Sequence, residues 1–398
     1  MKQIQDAYIV AATRAPVAKS GRGALRNTRP DDLLARTLRH VLTLVPSLDP
    51  QAIEDVIVGC AIPEAQQGLN VARIAALLSG LPSSVGGLTV NRFCSSGLNA
   101  VAIAADRIRV GEADVMIAGG IESMSMVPMM GNTPSLSPDI FAHDENFGIA
   151  YGMGLTAEMV ARQWKVSREA QDAFALASHQ KALAAQAAGE FDQEIFSVEV
   201  ESRAINPERG EVDISTRAFS RDEGPRADTS LAGLARLRPV FANKGSVTAG
   251  NSSQTSDGCA ALVLASESAV KRFGLTPLAR FVSFAVRGVP PEIMGIGPKE
   301  AIPAALKAAG LRLEDIGWIE LNEAFAAQSI AVMNELQLDP SRVNPLGGAI
   351  ALGHPLGATG AIRSATVVHA LRRRQLQYGM VTMCVGTGMG AAGIFERC

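Results

Sequence analysis

Hydrophobic patterning predicts that short buried strands alternate with amphipathic helices at both ends of this chain, in the same order each time. In the first part the predicted elements are a strand at 7–12, a helix at 33–44, a strand at 56–59, a helix after Gly97 and a strand at 115–118. In the last part they are a helix at 302–309, a strand at 318–321, a helix from about 358 and a strand at 380–383. The pattern predicts an α/β protein with two similar βαβαβ-type halves, each a mainly parallel sheet with helices on both faces.

Residues 121–247 interrupt this rhythm and are predicted to form an inserted loop domain. Within them, Ser167 is a predicted N-cap of an amphipathic helix that ends at Gly189. The predicted domains are therefore 1–120 with 248–272, then 121–247, then 273–398. The inserted segment begins with a methionine-rich loop (Met124, Met126, Met129 and Met130), which could line an acyl pocket, form an oligomer contact or simply fill core.

Composition narrows the class of protein. The chain has 398 residues, a formal net charge of −2 and five scattered cysteines. The charge gives no reason to expect nucleic-acid binding, and the cysteines favour a reducing compartment over a disulfide framework. The histidines show no metal-ligand spacing, and neither a signal-peptide core nor an apolar run of membrane-spanning length is visible. We expect a cytoplasmic protein without a membrane span.

Cys94 is the first candidate for chemistry. Residues 88–90 are predicted to form a short buried strand, Gly97 to allow a tight turn, and the following residues to form a helix. A thiol at the positive end of a helix is favoured as the thiolate, which is the nucleophilic form. The alternative, that Cys94 is a small buried hydrophobe, stays open on this segment alone.

Three further segments place one reactive side chain among small residues. His354 lies among five glycines in residues 347–360, where a neutral-pH proton acceptor would be close to flexible backbone. Cys384 precedes a second glycine cluster at the end of a predicted strand. That cluster contains a GxGxxG pattern, but no helix follows it, so a dinucleotide site is rejected. Asn322 follows another strand and could hold a water or an oxyanion, with Glu323 as a polar cap and Phe325 as packing or tunnel lining.

Taken together, these segments resemble the thiolase family over nearly the whole chain. The similarity is carried, in family order, by Asn91–Asn99, Met153–Glu158, Val247–Ser253, Asn322–Phe325, Gly347–Gly360 and Cys384–Gly390. It implies the thiolase fold, with alternating helix and sheet layers. It also implies an acyltransferase that cleaves 3-oxoacyl-CoA with CoA, or runs the reverse Claisen condensation.

The resemblance implies a role for each candidate. Cys94 would form the acyl-enzyme, His354 would take the proton from Cys94, and Cys384 would be the acid and base at the α-carbon. One oxyanion hole would use His354 and a water held by Asn322. The other would use the backbone N–H groups of Cys94 and Gly386.

In thiolases the inserted domain holds coenzyme A, which is a substrate here, with no cofactor permanently bound. By position, Ser253 and Ala249 would line the pantetheine, Met153 and Phe325 the acyl end, and Arg226 the adenosine phosphate. Family members that make acetoacetyl-CoA often carry histidine before the Met-Gly pair, where this chain has Gly152. That departure favours acetyl-CoA C-acyltransferase (3-ketoacyl-CoA thiolase) activity on longer chains over acetyl-CoA C-acetyltransferase activity.

Other readings stay open. A condensing ketosynthase shares the duplicated fold but generally lacks a cysteine at the position of Cys384. An inactive lipid-binding subunit would be expected to have lost one of the three reactive residues. The family also implies a homodimer or homotetramer, or a partner subunit in a β-oxidation complex.

Overall fold

The computed structural model describes residues 4–398, in which strands and helices alternate as the sequence predicts. Residues 1–3, part of the predicted first domain, lie outside the described residues. The strands are β1 (Ala7–Arg14), β2 (Ala18–Lys19), β3 (Asp55–Gly59), β4 (Leu88–Val90), β5 (Val115–Ser123), β6 (Val198–Asn206), β7 (Glu211–Phe219), β8 (Ser256–Ser266), β9 (Ala279–Gly288), β10 (Ile316–Leu321), β11 (Tyr378–Val385) and β12 (Met389–Arg397). The helices are α1 (Pro30–Thr43), α2 (Val71–Leu78), α3 (Ser96–Arg109), α4 (Met153–Gln163), α5 (Arg168–Ala187), α6 (Leu231–Ala235), α7 (Glu267–Phe273), α8 (Pro298–Ala309), α9 (Ala326–Leu336), α10 (Ala349–Leu352) and α11 (Leu356–Arg373).

Ten strands form one mixed sheet in the order β10-β11-β12-β9-β1-β8-β5-β3-β4, with β2 paired to β8. The pairs β10–β11, β3–β5 and β3–β4 are parallel. The pairs involving β8, β9 and β12 are antiparallel. The expectation of a mainly parallel sheet in each half is therefore wrong, because patterning along the chain reports burial and not the direction of the neighbouring strand.

The internal repeat is visible in the strand order. From β1 outward the first half runs β1-β8-β5-β3-β4, and from β9 outward the second half runs β9-β12-β11-β10. Corresponding neighbours have the same relative direction, antiparallel twice and then parallel. A parallel bridge from Ile319 to Val343 occupies the place that β4 has in the first half. The two halves thus share one topology.

Side chains alternate across the strands and divide the core into layers. In β5, Met116 packs in a cluster with α3 and α11, whereas Ile117 packs with α1 and α2. In β12, Phe395 joins the cluster with α3 and α11, whereas Ile394 packs with α8 and α9. Helices α3 and α11 therefore lie between the inner faces of the two halves, and the predicted alternation of helix and sheet layers is confirmed.

The two inner helices touch through their backbones. A Cβ atom on Gly97 would lie 2.6 Å from the backbone nitrogen of Ala361, and one on Gly360 would lie 2.2 Å from that of Leu98. Gly97 is inside helix α3 and has no positive φ, so it does not form the tight turn predicted from the sequence. Its hydrogen side chain instead permits close approach of α11.

A buried carboxylate joins the first half to the start of α11. Glu122, in β5, accepts hydrogen bonds from the backbone N–H groups of Ala61 and Gly357, each at 2.8 Å. Burial raises the pKa of Glu122, and these donors oppose that rise. The carboxylate therefore links the segment after β3 to the first turn of α11.

The segment between β5 and β8 contains α4, α5, the β6–β7 hairpin and α6. The predicted N-cap is confirmed, because the Ser167 hydroxyl accepts a hydrogen bond from Ala170 N–H at the start of α5. Arg14 of β1 ties this segment to the sheet through buried ion pairs of 2.7 Å to Glu194 and 2.8 Å to Asp222. The domain boundaries at 120, 247 and 272 stay a prediction.

No helix within residues 4–398 is both long enough and apolar enough to cross a membrane.

The contact between α3 and α11 predicts that an alanine at Gly360 lowers the free energy of unfolding, whereas helix propensity alone predicts that it raises it. Alanine is favoured over glycine inside a helix by about 1 kcal/mol, so Gly360→Ala would be stabilising if only propensity mattered. Because the new methyl group would overlap the backbone at Leu98, we expect a loss of about 1–3 kcal/mol in the free energy of unfolding, measured by urea denaturation. Gly288→Ala, whose Cβ would meet nothing closer than 3.9 Å, is the control. An unchanged or higher free energy for Gly360→Ala would contradict the packing argument.

Candidate active site

Cys94 lies in a sharp 3₁₀ turn, Phe93–Ser95, between β4 and α3. The turn is made by Phe93, whose φ of 42° lies in the left-handed region. Such a conformation is costly for a bulky residue and is found where the surroundings hold it in place. Here the Asn91 side chain accepts from Phe93 N–H at 2.8 Å, and the Ser96 hydroxyl donates to the Phe93 carbonyl at 2.7 Å.

The strand before this turn is present but is not buried. Strand β4 is the edge of the sheet, and Leu88 is 41% exposed. A three-residue apolar run cannot distinguish an edge from an interior strand, because the distinction depends on what pairs with its free side. The prediction of a buried strand at 88–90 is wrong in this respect.

Two opposing effects act on the Cys94 thiol. The backbone N–H groups of Cys94 itself and of Gly386 point at the sulfur and lower its pKa, as expected at a helix start. Burial has the larger effect and, with the nearby Glu122 carboxylate, raises the pKa of Cys94 to about 12. The sequence-based expectation of a favoured thiolate is therefore wrong for the unliganded protein. A neutral thiol needs a base to become a nucleophile.

The backbone of His354 is fixed by the start of β8 and the segment just before it. Its N–H donates to the carbonyl of Gln254 at 3.0 Å and lies 3.1 Å from the Ser256 hydroxyl oxygen. Gly353 has a φ of 91°, and a Cβ there would lie 2.4 Å from that hydroxyl oxygen. At this position glycine is required both for its conformation and for space.

The His354 ring is buried and touches a polar group at each nitrogen. Nδ1 lies 2.6 Å from the Thr359 hydroxyl oxygen, and Nε2 lies 3.3 Å from the Asn322 amide nitrogen. Burial, assisted by the positive charge of Arg363, lowers the pKa of His354 to about 3. The imidazole is therefore neutral at physiological pH and can accept a proton.

Asn322 and Glu323 follow β10 and have different roles. The side-chain amide oxygen (Oδ1) of Asn322 is buried and has no hydrogen-bond partner within residues 4–398, so it is free to accept from a ligand or water. Glu323 is also buried and accepts hydrogen bonds from Ser178, Asn344 and the Ile350 N–H. It is therefore not the surface cap considered from sequence, but an anchor that joins α5 and β10 to the loop carrying His354.

Cys384 lies near the end of β11, and this strand packs against the Cys94 turn. Its thiol is buried in a cluster with Phe325 and Met294. Burial, and next the proximity of Cys94, raises the pKa of Cys384 well above the usual range. A Cβ on Gly386 would lie 3.4 Å from the Phe93 ring. The structure thus brings Cys94, Cys384 and Gly386 together, with both cysteines as neutral thiols.

A mostly apolar cavity of about 500 Å³ reaches His354. Its lining includes three predicted residues, Met153, Ser253 and Phe325. Phe241, which no sequence pattern singled out, also lines it and contacts Phe325 edge to face with ring centroids 6.0 Å apart. Phe325 therefore lines a cavity, the exception to simple packing that the sequence left open.

The other two predicted contacts lie at a second cavity of about 360 Å³. Ala249 and Arg226 line it, together with Lys19 and Arg22, which come from the segment around β2. Arg226 is half exposed and forms an ion pair of 3.0 Å with Asp228. The sequence did not indicate that Lys19 and Arg22 line this cavity, because two cations in a short polar stretch are typical of any solvent-exposed segment. Gln254 lines both cavities, so they are neighbours.

Comparisons with known proteins agree with this arrangement. Residues 7–268 match the family described as Thiolase, N-terminal domain, and residues 275–397 match Thiolase, C-terminal domain. The chain is 51% identical over 395 residues to the 3-ketoacyl-CoA thiolase of Bacillus subtilis, covering 99% of this chain and 100% of that protein. It is 46% identical over 392 residues to the peroxisomal 3-ketoacyl-CoA thiolase of Homo sapiens, covering 98% of this chain and 91% of that protein.

Solved structures give the same result for the fold. The Bacillus anthracis acetyl-CoA acetyltransferase superposes with a TM-score of 0.89 at 39% identity, covering 100% of both chains. Human mitochondrial 3-ketoacyl-CoA thiolase superposes with a TM-score of 0.89 at 38% identity, covering 99% of both. Both halves of the sequence, and the architecture that joins them, lead to one conclusion: the chain belongs to the thiolase family.

Proposed function

We propose that this chain is an acetyl-CoA C-acyltransferase that cleaves 3-oxoacyl-CoA with CoA to give acetyl-CoA and a shortened acyl-CoA. The observation that carries the proposal is that the neutral thiols of Cys94 and Cys384 lie together in glycine-bordered turns, and that the neutral imidazole of His354 lines an apolar cavity. Phe325, which packs with Cys384, lines the same cavity. Nucleophilic attack and proton transfer at carbon need these groups, and both must be protected from water.

The first half-reaction forms the acyl-enzyme. Cys94 transfers its proton to His354, and the sulfur attacks the 3-keto carbon of the substrate. Collapse of the tetrahedral oxyanion breaks the bond between carbons 2 and 3 and releases the acetyl-CoA carbanion. Cys384 gives this carbanion its proton, which leaves an acyl group on Cys94, a thiolate at Cys384 and a protonated His354.

The second half-reaction restores the three neutral groups. CoA gives its thiol proton to Cys384, and its sulfur attacks the acyl thioester on Cys94. As the thioester breaks, His354 returns its proton to the Cys94 sulfur. Both thiols rest protonated, so each proton must be handed over by a neighbouring group, and none is lost to solvent.

Both half-reactions place negative charge on a carbonyl oxygen, and two sets of donors are available for it. The N–H groups of Cys94 and Gly386, which point at the sulfur, would stabilise the oxygen of the acyl thioester. His354, with a water held by Asn322, would stabilise the oxygen of the acetyl-CoA enolate. The side-chain amide oxygen of Asn322, which is buried and has no hydrogen-bond partner among residues 4–398, supports this second assignment.

Coenzyme A would span the two neighbouring cavities. The phosphorylated nucleotide would lie near Lys19, Arg22 and Arg226, and the pantetheine would pass Ala249 and Ser253 toward His354. The acyl chain would contact Met153, Phe325 and the other apolar side chains of the larger cavity. The cation count of the smaller cavity and the apolar lining of the larger one support this orientation.

The quaternary state and location belong to the same proposal. We propose a homodimer or homotetramer, supported by the exposed edge of β4 and by exposed apolar side chains such as Met130 and Phe141 in the loop after β5. A partner subunit of a β-oxidation complex would use the same chemistry. A cytoplasmic location is supported by the five free cysteines, four of them buried.

Cys94→Ala tests the nucleophile. We expect the variant to lose all trapping of a labelled acyl group from acyl-CoA, detected by mass spectrometry of the intact chain, because no thiol remains to form the thioester. Cys259→Ala is the control, since Cys259 is a buried free cysteine on the opposite face of the sheet. Undiminished labelling of Cys94→Ala would show that another residue carries the acyl group.

Cys384→Ala separates the two proton-transfer roles. The variant should still accept an acyl group at Cys94, but its rate of 3-oxoacyl-CoA cleavage should fall by roughly 10²–10⁴-fold, the usual worth of a general acid or base. The measurements are acyl labelling and loss of the 3-oxoacyl absorbance on one preparation. Full turnover by this variant would remove Cys384 from the mechanism.

Chain length is tested with 3-oxoacyl-CoA substrates from four to sixteen carbons. Because Gly152 leaves open space beside an apolar cavity, we expect kcat/KM to rise with chain length. Gly152→His should shift the preference toward the four-carbon substrate by filling that space. Activity confined to acetoacetyl-CoA in the unchanged protein would instead identify an acetyl-CoA C-acetyltransferase.

A further inference from the structure

The His354 ring makes one polar contact that the proposed reaction does not use. Its Nδ1 atom lies 2.6 Å from the hydroxyl oxygen of Thr359, a residue in the first turn of α11 that is 1% exposed. The same hydroxyl oxygen lies 3.0 Å from the carbonyl oxygen of Pro355. A short hydrogen bond between fully buried groups fixes both partners, since neither can turn to solvent.

The single proton of the Thr359 hydroxyl decides which group donates in its contact with His354. The Thr359 hydroxyl has a single proton, which it donates to the Pro355 carbonyl, because a carbonyl oxygen can only accept. Its lone pair then faces Nδ1, so Nδ1 must carry a proton and donate it. On the other side of the ring, Nε2 lies 3.3 Å from the Asn322 amide nitrogen, longer than an ordinary hydrogen bond, so the Thr359 contact is the one that carries the assignment.

We propose that Thr359 is a positioning residue that acts through His354. Its hydroxyl holds the imidazole as the Nδ1–H tautomer and leaves the Nε2 lone pair available for the Cys94 proton. The other neutral tautomer carries its proton on Nε2 and cannot accept one there. When Nε2 becomes protonated, the bond from Nδ1–H to Thr359 gains a charged donor and becomes stronger. The inference rests on the proposed function, in which His354 is the base.

The position of this hydroxyl is set by the same contact that places Cys94. Gly360, the residue after Thr359, packs against the backbone of Leu98 near the start of α3. Glu122 holds the first turn of α11, which contains Thr359, through its hydrogen bond from Gly357 N–H. The histidine, its hydroxyl partner and the nucleophile are therefore fixed relative to one another by two buried contacts.

The test compares Thr359→Val, which keeps the shape but removes the hydroxyl, with Thr359→Ser, which keeps the hydroxyl. We expect kcat for 3-oxoacyl-CoA cleavage to fall about 10–100-fold in Thr359→Val with KM within about twofold, because ring orientation affects proton transfer but not CoA binding. Alkylation of Cys94 by iodoacetamide should slow about tenfold or more. Thr359→Ser should stay within about threefold of the unchanged protein in both measurements.

Ser364→Ala is the matched control. Ser364 is another buried hydroxyl on α11, and it donates only to the carbonyl of Gly360, at 2.7 Å. Its loss should leave kcat and alkylation unchanged. Equal impairment of Thr359→Ser and Thr359→Val would mean that packing matters and not the hydroxyl, and wild-type rates in Thr359→Val would exclude the role directly. Either result overturns the proposal.

Two further readouts keep the outcome clear. If the unchanged protein shows no cleavage, the proposed function fails, whereas the alkylation rates still decide the role of Thr359. If Thr359→Val does not fold, the ¹⁵N spectrum of histidine-labelled unchanged protein decides, with the His354 signals assigned by their loss in His354→Asn. A neutral Nδ1–H pattern supports the proposal, and an Nε2–H pattern refutes it.

Discussion

The contact between helices α3 and α11 is the constraint on which the site depends. Each half of the duplicated fold contributes one inner helix, and each helix has a reactive residue at or near its N-terminus, Cys94 before α3 and His354 before α11. Gly97 and Gly360 let the backbones touch, so the distance between the helices is set by main-chain atoms and not by adaptable side chains. The internal repeat therefore places two candidate catalytic groups of different chemistry at equivalent positions in the fold.

Burial has a larger effect on the chemistry of the site than the helix ends do. Both thiols have raised pKa values and the histidine has a lowered one, so all three groups rest in their neutral forms. A neutral site can hold an apolar acyl chain beside it without keeping a water shell around any charge. In the proposed reaction, negative charge would arise only as the bonds change. The N–H groups of Cys94 and Gly386 already point to a place where it would develop.

Buried polar residues outside the reacting set hold this arrangement in place. Glu122 fixes the first turn of α11, Glu323 fixes the loop that carries His354, and Thr359 contacts the histidine ring. Glu122 and Glu323 make hydrogen bonds to groups distant in sequence, whereas the contacts of Thr359 are local. Each of the three side chains is nearly or fully inaccessible to solvent. Removing one partner from such a buried set costs more than the bond itself is worth, because the remaining group stays desolvated.

The sequence by itself indicated the strands and helices around the candidate site, the repeat, the alternation of layers and three candidate reactive residues, because apolar periodicity and glycine clusters are local signals. It did not indicate β8, β9 and β12 or the β6–β7 hairpin. Only the tertiary structure decided the antiparallel strand directions, the strained φ of Phe93 and the pKa directions of the thiols. It also added Lys19 and Arg22 to a cavity with Arg226, and the hydroxyl of Thr359 to His354. These features depend on which distant groups become neighbours and on how completely they exclude water, and neither quantity is encoded in a short stretch of chain.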